Sequence, residues 1–260
     1  MDIVVLDVLL INPPIYLELA FQAQVRASDP LSHDQPPILF PPLGLAYLGA
    51  SLEAQGFRVQ ILDAWGQPDP LALVEQTIQR TRPRIIGLSV LVFTLPSVYR
   101  LVPRIREVAP GAVIVLGSLQ VAEDLRLVAK VGADFGVVGC GEVPLAQLAR
   151  QVIRGEGATG DIRGLVVPHS GEVTVNPPDP ALDIDTIPPP ARHLLGARRY
   201  YSPSDARPMT MITTQRGCPY RCGYCHHSSP PVRAAFPLRQ RSVDAVVEEL
   251  TREPRRIYSV

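Results

Sequence analysis

Ile85-Ile86-Gly87-Leu88-Ser89-Val90-Leu91-Val92 is an almost wholly apolar run that ends at Phe93-Thr94-Leu95-Pro96. A strand with one wet face alternates apolar and polar side chains; a strand covered on both faces does not, so this stretch reads as a buried strand of a parallel sheet. Similar runs lie on either side. Ile3 to Ile11 stops at Asn12-Pro13-Pro14, and Arg58 to Asp63, Ala112 to Leu116 and Phe135 to Val138 complete five strands. Helical stripes alternate with them: Leu45, Leu48 and Leu52, with Gly56 placed as a C-terminal cap, then Leu71, Val74 and Ile78. Val98, Leu101, Val102 and Ile105 form the next, where Pro103 predicts a kink or a late start. Leu125 with Val128, and Leu145, Leu148 and Val152, complete the set. Alternation of this kind predicts an α/β fold, a Rossmann-like, doubly wound, five-stranded parallel sheet over 1–157. Ligands of such sheets bind beyond the carboxyl ends of the strands. The loops after Ile11, Val90, Leu116 and Val138 are therefore the expected functional edge.

The rest of the chain reads differently. A long loop from Ile15 to about Pro42 interrupts the first unit. Residues 158–208 are a Pro-rich linker, with nine prolines between Asp161 and Pro208 and one hairpin, Leu165–Val167 with Val173–Val175 around Ser170-Gly171. Met209 to Gln215 is a further strand, Ser242 an N-cap, and Val243, Val246, Val247 and Leu250 a helical stripe before a last strand from Arg256. Residues 209–260 thus form a strand–helix–strand unit.

Composition narrows the function classes. The 260 residues carry 25 Lys+Arg against 25 Asp+Glu, and with no positive surplus a general nucleic-acid binder is not expected. Lys130 is the only lysine. The 28 prolines are about twice the usual share, but they stand in clumps such as Pro188-Pro189-Pro190 and punctuate elements. No apolar run approaches the roughly 18 residues of a membrane helix, and Asp2 and Asp7 do not suit a signal peptide. A cytoplasmic protein is expected, in which cysteines serve metals more often than disulfides.

Three of the four cysteines fall in Cys218-Pro-Tyr-Arg-Cys222-Gly-Tyr-Cys225, spaced C-x3-C-x2-C directly after a strand. Thiolates select iron–sulfur clusters or zinc. Three ligands on one tight loop can hold three irons of a [4Fe–4S] cube and leave one open, whereas structural zinc takes a closed set of four. His226 as a fourth zinc ligand would be awkward next to Cys225, and three unliganded thiols are the plain alternative.

Thr213-Thr214-Gln215-Arg216-Gly217 followed by the cysteine motif resembles the cluster loop of radical S-adenosylmethionine enzymes, and Arg239-Gln240-Arg241-Ser242 also resembles that family. The first 157 residues resemble the cobalamin-binding half of one branch of it, through Ile11-Asn12-Pro13-Pro14, Pro41-Pro42-Leu43-Gly44-Leu45-Ala46-Tyr47-Leu48 and Gly87-Leu88-Ser89-Val90-Leu91. The resemblance implies that Cys218, Cys222 and Cys225 hold a [4Fe–4S] cluster and that Tyr224 lies beside the adenine of S-adenosylmethionine. It implies cobalamin contacts at Asn12, Pro13, Pro14, Ser89, Leu91, Gly117, Ser118, Gly139, Gly141 and Glu142. Gly117-Ser118 stands where the family has two glycines, Gln120 or Val121 replaces a common histidine, and Gly139-Cys140-Gly141-Glu142 replaces Gly-Glu-Gly-Glu. No Asp-x-His-x-x-Gly motif follows the first strand, so the resemblance implies no histidine lower ligand from it.

The implied function is reductive cleavage of S-adenosylmethionine, for methyl transfer to an unactivated carbon of a small-molecule substrate, with a flavodoxin or ferredoxin as reductant. A non-methylating oxidative cyclase and a non-catalytic cobalamin- or zinc-binding module are the alternatives. No acid, base or nucleophile stands out as catalytic. Asp63 ends the second strand where a Rossmann ribose acid would sit, but no G-x-G-x-x-G precedes it. Cys140 between glycines at a helix start could form a stabilised thiolate, and Glu142 could bond a corrin amide or serve its helix. His169, His193 and His227 read as surface or packing residues. The resemblance implies that residues 209–260 are the first β-α unit of a radical S-adenosylmethionine partial (β/α)6 barrel; one such unit is little of that barrel, so the 260-residue chain is expected to be the N-terminal part of a longer product and inactive alone, with Ile212, Val247 and Leu250 lacking a wall to pack on.

Overall fold

A computed structural model describes residues 5–15, 40–196, 200 and 209–252, and the backbone of 256–259. The expected start of the first strand at Ile3, most of the loop between Ile15 and Pro42, part of the Pro-rich segment and Val260 lie outside the described residues.

Five parallel strands form the predicted sheet: β1 (Val8–Asn12), β2 (Val59–Asp63), β3 (Ile85–Ser89), β4 (Val113–Gly117) and β5 (Phe135–Val137). Two antiparallel strands, β6 (Leu165–His169) and β7 (Glu172–Val175), extend it to seven, in the order β2-β1-β3-β4-β5-β6-β7. Ser170 (φ 48°) and Gly171 (φ 90°) at the tip of this hairpin supply the paired positive φ values of a tight turn whose twist matches its strands. The chain leaves β1 toward β2 on one side and returns to β3 on the other, so the order reverses between β1 and β3. At such a point two connections diverge and leave a crevice.

Helices cover both faces. α1 (Leu43–Glu53) and a later α6 (Glu142–Arg154) pack on Val8, Leu10, Ile85 and Val115. The opposite face of the same strands, with Leu9, Ile86, Ile114 and Leu116, is covered by α2 (Pro70–Thr81), α3 (Leu95–Val108), α4 (Leu119–Glu123) and α5 (Leu127–Val131). Val8 through Ile11 are fully buried, as continuous apolar strands require. Each such side chain contributes about 1.5–3 kcal/mol of transfer free energy.

Several boundaries differ from the sequence reading. β1 begins only at Val8; Asp7 is instead turned to Arg58, which donates from its backbone N at 2.8 Å and from Nε at 3.2 Å. β3 ends at Ser89, because Thr94 Oγ1 accepts from Leu91 N at 2.9 Å and curls the backbone into a turn. α3 neither starts late nor stops at Pro103; it begins at Leu95 with Pro96 in its first turn and carries Pro103 on its exposed side. The helix expected around Leu125 is two short ones, split at Asp124, whose φ of −133° is extended and whose Oδ1 accepts from Arg126 N at 3.1 Å.

Beyond the hairpin, Met209 to Gln215 is not one strand. β8 (Met209–Ile212) pairs in parallel with the last strand, Arg256–Ser259, while β9 (Gln215–Arg216) pairs with β10 (Arg239–Gln240). α7 (Pro230–Ala235) lies between β9 and β10, and α8 (Val243–Arg252) follows, its Ala245 N donating to the Ser242 side chain at 3.2 Å as the N-cap reading predicts. The stripe on α8 is not a core face: Val243 is 77% and Val247 49% exposed, whereas Glu249 is 3% exposed. Ile212, by contrast, is buried, against the expectation that it lacks a wall.

Glu249 is the knot that holds this segment on the sheet domain. Its Oε1 accepts from Arg192 Nη2 at 2.6 Å, and its Oε2 from Arg241 Nη1 at 2.5 Å and Tyr47 Oη at 3.4 Å. Arg192 also donates to Thr210 Oγ1 and the Met211 carbonyl, and Arg241 to the Thr213 and Ala245 carbonyls. Burial beside Glu249 pushes the Tyr47 phenol up to about 12, so it stays a neutral donor.

Candidate cofactor cavity

A cavity of about 500 Å³ opens at the carboxyl edge of the sheet, within the range of small-molecule and cofactor sites. Its depth comes from missing side chains. Gly87, in the middle of β3, has no room for more, since an added Cβ would stand 2.9 Å from Leu10 Cδ2. Gly44 and Gly117 face open space, with no atom within 4 Å of an added Cβ. Leu45, Leu48, Val115, Val137 and Leu145 make the inner walls apolar, between the sheet and its α1–α6 cover.

Thr213, Gln215, Arg216, Gly217, His227 and Phe236 close the other side, so the segment that carries the cysteines forms part of the same cavity. Gly217 turns the chain into the cysteine loop at φ 79°, where a Cβ would lie 2.6 Å from the backbone of Phe236 and Pro237; only glycine fits. Arg233 on α7 fastens the loop by donating to the Tyr220 carbonyl at 2.7 Å. His227, its ring edge-on to Phe236 at 6.5 Å, is held below the usual imidazole range by burial and by neighbouring His226.

Arg216 joins the two sides. Its Nη2 lies 2.6 Å from Glu142 Oε1, its guanidinium sits over the Tyr47 ring at 4.9 Å, and it also bonds Cys140. Burial disfavours the charge, but the Glu142 carboxylate more than offsets this and raises the guanidinium further above its ordinary value. Glu142 opens α6, where the N-terminal partial charge of the helix favours an anion. It is 4% exposed, and its Oε2 is buried with no hydrogen-bond partner.

Of the sequence-predicted contacts, Ser89, Gly117, Ser118, Gly139, Gly141 and Glu142 line this cavity together. Asn12, Pro13, Pro14 and Leu91 do not line it. Asn12 is instead a cross-strand tie, donating from Nδ2 to Asp63 Oδ1 at 2.8 Å. Asp63 also accepts from Trp65 N and from Tyr200 Oη, so its carboxylate braces the end of β2. Leu91 serves the Thr94 turn. Ser118, at φ 81°, occupies a conformation that suits glycine. Tyr47, Arg216, His227 and Phe236 were not anticipated as cavity residues. Tyr47 and Arg216 lie inside the two quoted motifs, the signal that could have singled them out.

Cys218 and Cys225 are partly buried and Cys222 is exposed, with Cys225 N donating to the Cys222 carbonyl at 3.0 Å. Among the described residues no three His, Cys, Asp or Glu side chains converge on a point where one ion could sit. A tetrahedral zinc site requires that convergence, with Zn–S near 2.3 Å; thiolates on separate corners of a cube stand further apart. His226, the conceivable fourth zinc ligand, is turned away to Glu123, its Nε2 3.4 Å from Oε2. The soft donor set fits an iron–sulfur cluster, and the glycine-lined cavity with its orphaned carboxylate oxygen fits a bulky amide-rich cofactor. Tyr224, within the loop, is 94% exposed.

The profile of the B12-binding domain family matches residues 37–149. An uncharacterised methyltransferase of Pyrococcus horikoshii is 29% identical over 214 residues, covering 81% of this chain and 45% of that protein. The anaerobic magnesium-protoporphyrin IX monomethyl ester cyclase of Rubrivivax gelatinosus is 28% identical over 193 residues, covering 72% and 35%. The chain thus spans less than half the length of these relatives. Among solved structures, the radical S-adenosylmethionine methyltransferase TsrM of Kitasatospora setae, with cobalamin and a [4Fe–4S] cluster bound, superimposes with a TM-score of 0.66 at 22% identity, over 95% of this chain and 45% of that one. The cobalamin-dependent S-adenosylmethionine radical enzyme OxsB does so with a TM-score of 0.69 at 19% identity, over 95% and 31%. Among the described residues no helix is long and apolar enough to cross a membrane. Residues 37–149 match the B12-binding domain family, and the chain has the fold of cobalamin-binding radical S-adenosylmethionine proteins.

Proposed function

We propose that the chain is the cobalamin-binding and cluster-bearing part of a radical S-adenosylmethionine enzyme that transfers a methyl group to an unactivated carbon of a small-molecule substrate. The observation that carries this reading is one cavity walled on one side by Ser89, Gly117 and Glu142 and on the other by the strand that leads into Cys218. Ser89, Gly117, Ser118, Gly139, Gly141 and Glu142 would hold cobalamin; Cys218, Cys222 and Cys225 would hold a [4Fe–4S] cluster; Tyr224 would face the adenine of S-adenosylmethionine. When bound, these groups supply an electron, a radical initiator and a methyl donor.

The chain's own residues bind, orient and shield. The apolar inner walls exclude water from the buried part of a ligand. Arg233 and Gly217 fix the course of the cysteine loop, and Arg216 ties the strand before it to Glu142 at the cavity wall. Exposed Cys222 leaves the loop within reach of a reductant such as a flavodoxin or ferredoxin in the cytoplasm. The similarity to the cyclase of Rubrivivax gelatinosus favours, as a second reading, a non-methylating oxidative cyclisation; product analysis with a labelled methyl donor separates the two.

The test is iron and sulfide content after anaerobic reconstitution. Cys222→Ala should abolish iron loading and Cys140→Ala should leave it unchanged, because Cys140 lies at the cavity wall beside Arg216 and outside the C-x3-C-x2-C motif. Stoichiometric zinc without iron would overturn the reading.

A further inference from the structure

Glu142 presents an unresolved need. One of its oxygens is tied to Arg216 at 2.6 Å, the other is buried and accepts from nothing, and the residue lines the cavity. A buried anionic oxygen without a donor is costly. Arg216 occupies Oε1, and the helix N-terminus favours an anion at this position. The neighbouring cavity walls are mainly apolar, with Cys140 already engaged by Arg216. Among the described residues none donates to this oxygen, so a ligand in the cavity can supply the donor.

We propose that Glu142 is a specificity-determining residue, by which the cavity selects a corrin with amide side chains over one with a carboxylate at the same place. This rests on the cobalamin reading above. Glu142 Oε2 accepts from an amide N–H of the corrin periphery. A ligand carboxylate there has no N–H to give and meets a buried like charge, fixed in place by Arg216. Gly117 and Gly141 leave the surrounding wall open enough for the periphery to approach, since Gly117 has no neighbour within 4 Å of an added Cβ and Gly141 meets side-chain tips alone, Leu48 at 3.1 Å and Val137 at 3.7 Å.

The experiment measures, by equilibrium dialysis of the full chain, the affinity for cobalamin and for a panel of its acids in which each peripheral amide in turn is replaced by a carboxylate. Wild type should bind the acid that faces Glu142 more weakly than cobalamin by about tenfold or more, the scale of one charged hydrogen bond. Glu142→Gln, whose amide can donate to a carboxylate, should erase that selectivity. Because Glu142→Gln leaves the Arg216 charge unpaired, Glu142→Gln with Arg216→Met is the companion variant, removing both charges; it should erase the selectivity as well. Uniform affinity across the panel in wild type, or selectivity that survives in both variants, overturns the inference while leaving the cobalamin reading standing. Failure of wild type to bind cobalamin at all refutes that reading and the inference with it.

Discussion

Replacing Glu249 by alanine should undock the cysteine-bearing segment from the sheet domain. The carboxylate is 3% exposed and is shared by Arg192 and Arg241, whose side chains are 11% and 9% exposed. Removing it takes the shared counter-ion from two nearly buried guanidinium groups, with Arg241 keeping its contact to Asp185 at 4.0 Å. Breaking one buried pair by deleting a partner costs about 3–5 kcal/mol; the retained bonds to Thr210, Met211 and Thr213 argue against doubling that figure for two. At about 2–4 °C per kcal/mol for a chain of this size, Tm should fall by about 6–20 °C. Glu249→Gln, which keeps an acceptor but loses the charge, should lie between. The assay is thermal unfolding combined with hydrogen exchange resolved by segment. Faster exchange should concentrate in α8 and β8, and β1 to β5 should change little at temperatures below the transition. A Tm within about 2 °C of wild type, with unaltered exchange in α8, would refute the argument that this carboxylate holds the two parts together.

Ser118→Gly should stabilise the protein by about 0.5–2 kcal/mol, because relief of a strained positive φ outweighs the added freedom of glycine in the unfolded chain; urea unfolding checks this, and a destabilised variant contradicts it. Asp185 accepts from Ser242 N at 2.9 Å just ahead of α8, and these hydrogen bonds hold its carboxyl below 3.8. A depressed carboxyl contributes stability that is complete above its unfolded value and is lost as pH falls through the lower folded one. The contribution of Asp185 to the docking of α8 should therefore fade on acidification through its lowered value, and Asp185→Asn should remove that component from the pH dependence of hydrogen exchange in α8. Tyr47→Phe should cost less than about 1 kcal/mol in thermal unfolding, since the lost bond to Glu249 is long at 3.4 Å and Arg241 and Arg192 remain on the carboxylate.

The sheet was legible because its strands are buried on both faces, and burial on both faces leaves an unbroken apolar run. β4 is where its run placed it to within a residue, β1 and β3 lie largely within theirs but are shorter, and the Ser170-Gly171 turn announced its hairpin. That the hairpin would join β5 was not legible, since Leu165 and Val166 carry the same signal whether they pair with a neighbour or only with each other. Local chemistry broke elements that periodicity alone would continue: Asp124 splits a helix by accepting from Arg126, and Thr94 ends β3 early. Pro103 shows the converse, a breaker tolerated on the wet side of α3.

At the site, motif position singled out glycines and Glu142 that line the cavity, and also Asn12, which ties to Asp63. An amide at the end of a strand can face a ligand or a neighbouring strand, and only the parallel register of Asn12 with Asp63 decides for the latter. The stripe on α8 misled for a related reason. Val243 and Val247 suggested an inward face, but the buried side is the one carrying Glu249, whose partners Tyr47 and Arg192 lie far away in sequence.

The most direct test of the account is stoichiometric binding of hydroxocobalamin to the full chain, compared with Gly117→Leu. No atom lies within 4 Å of an added Cβ at Gly117, so leucine there fills the cavity without forcing its walls apart, and the Tm should stay within a few degrees of wild type. The account predicts retention of about one cobalamin per wild-type chain on gel filtration, and little or none on the folded Gly117→Leu protein. No retention by wild type, or equal retention by the variant, would contradict it.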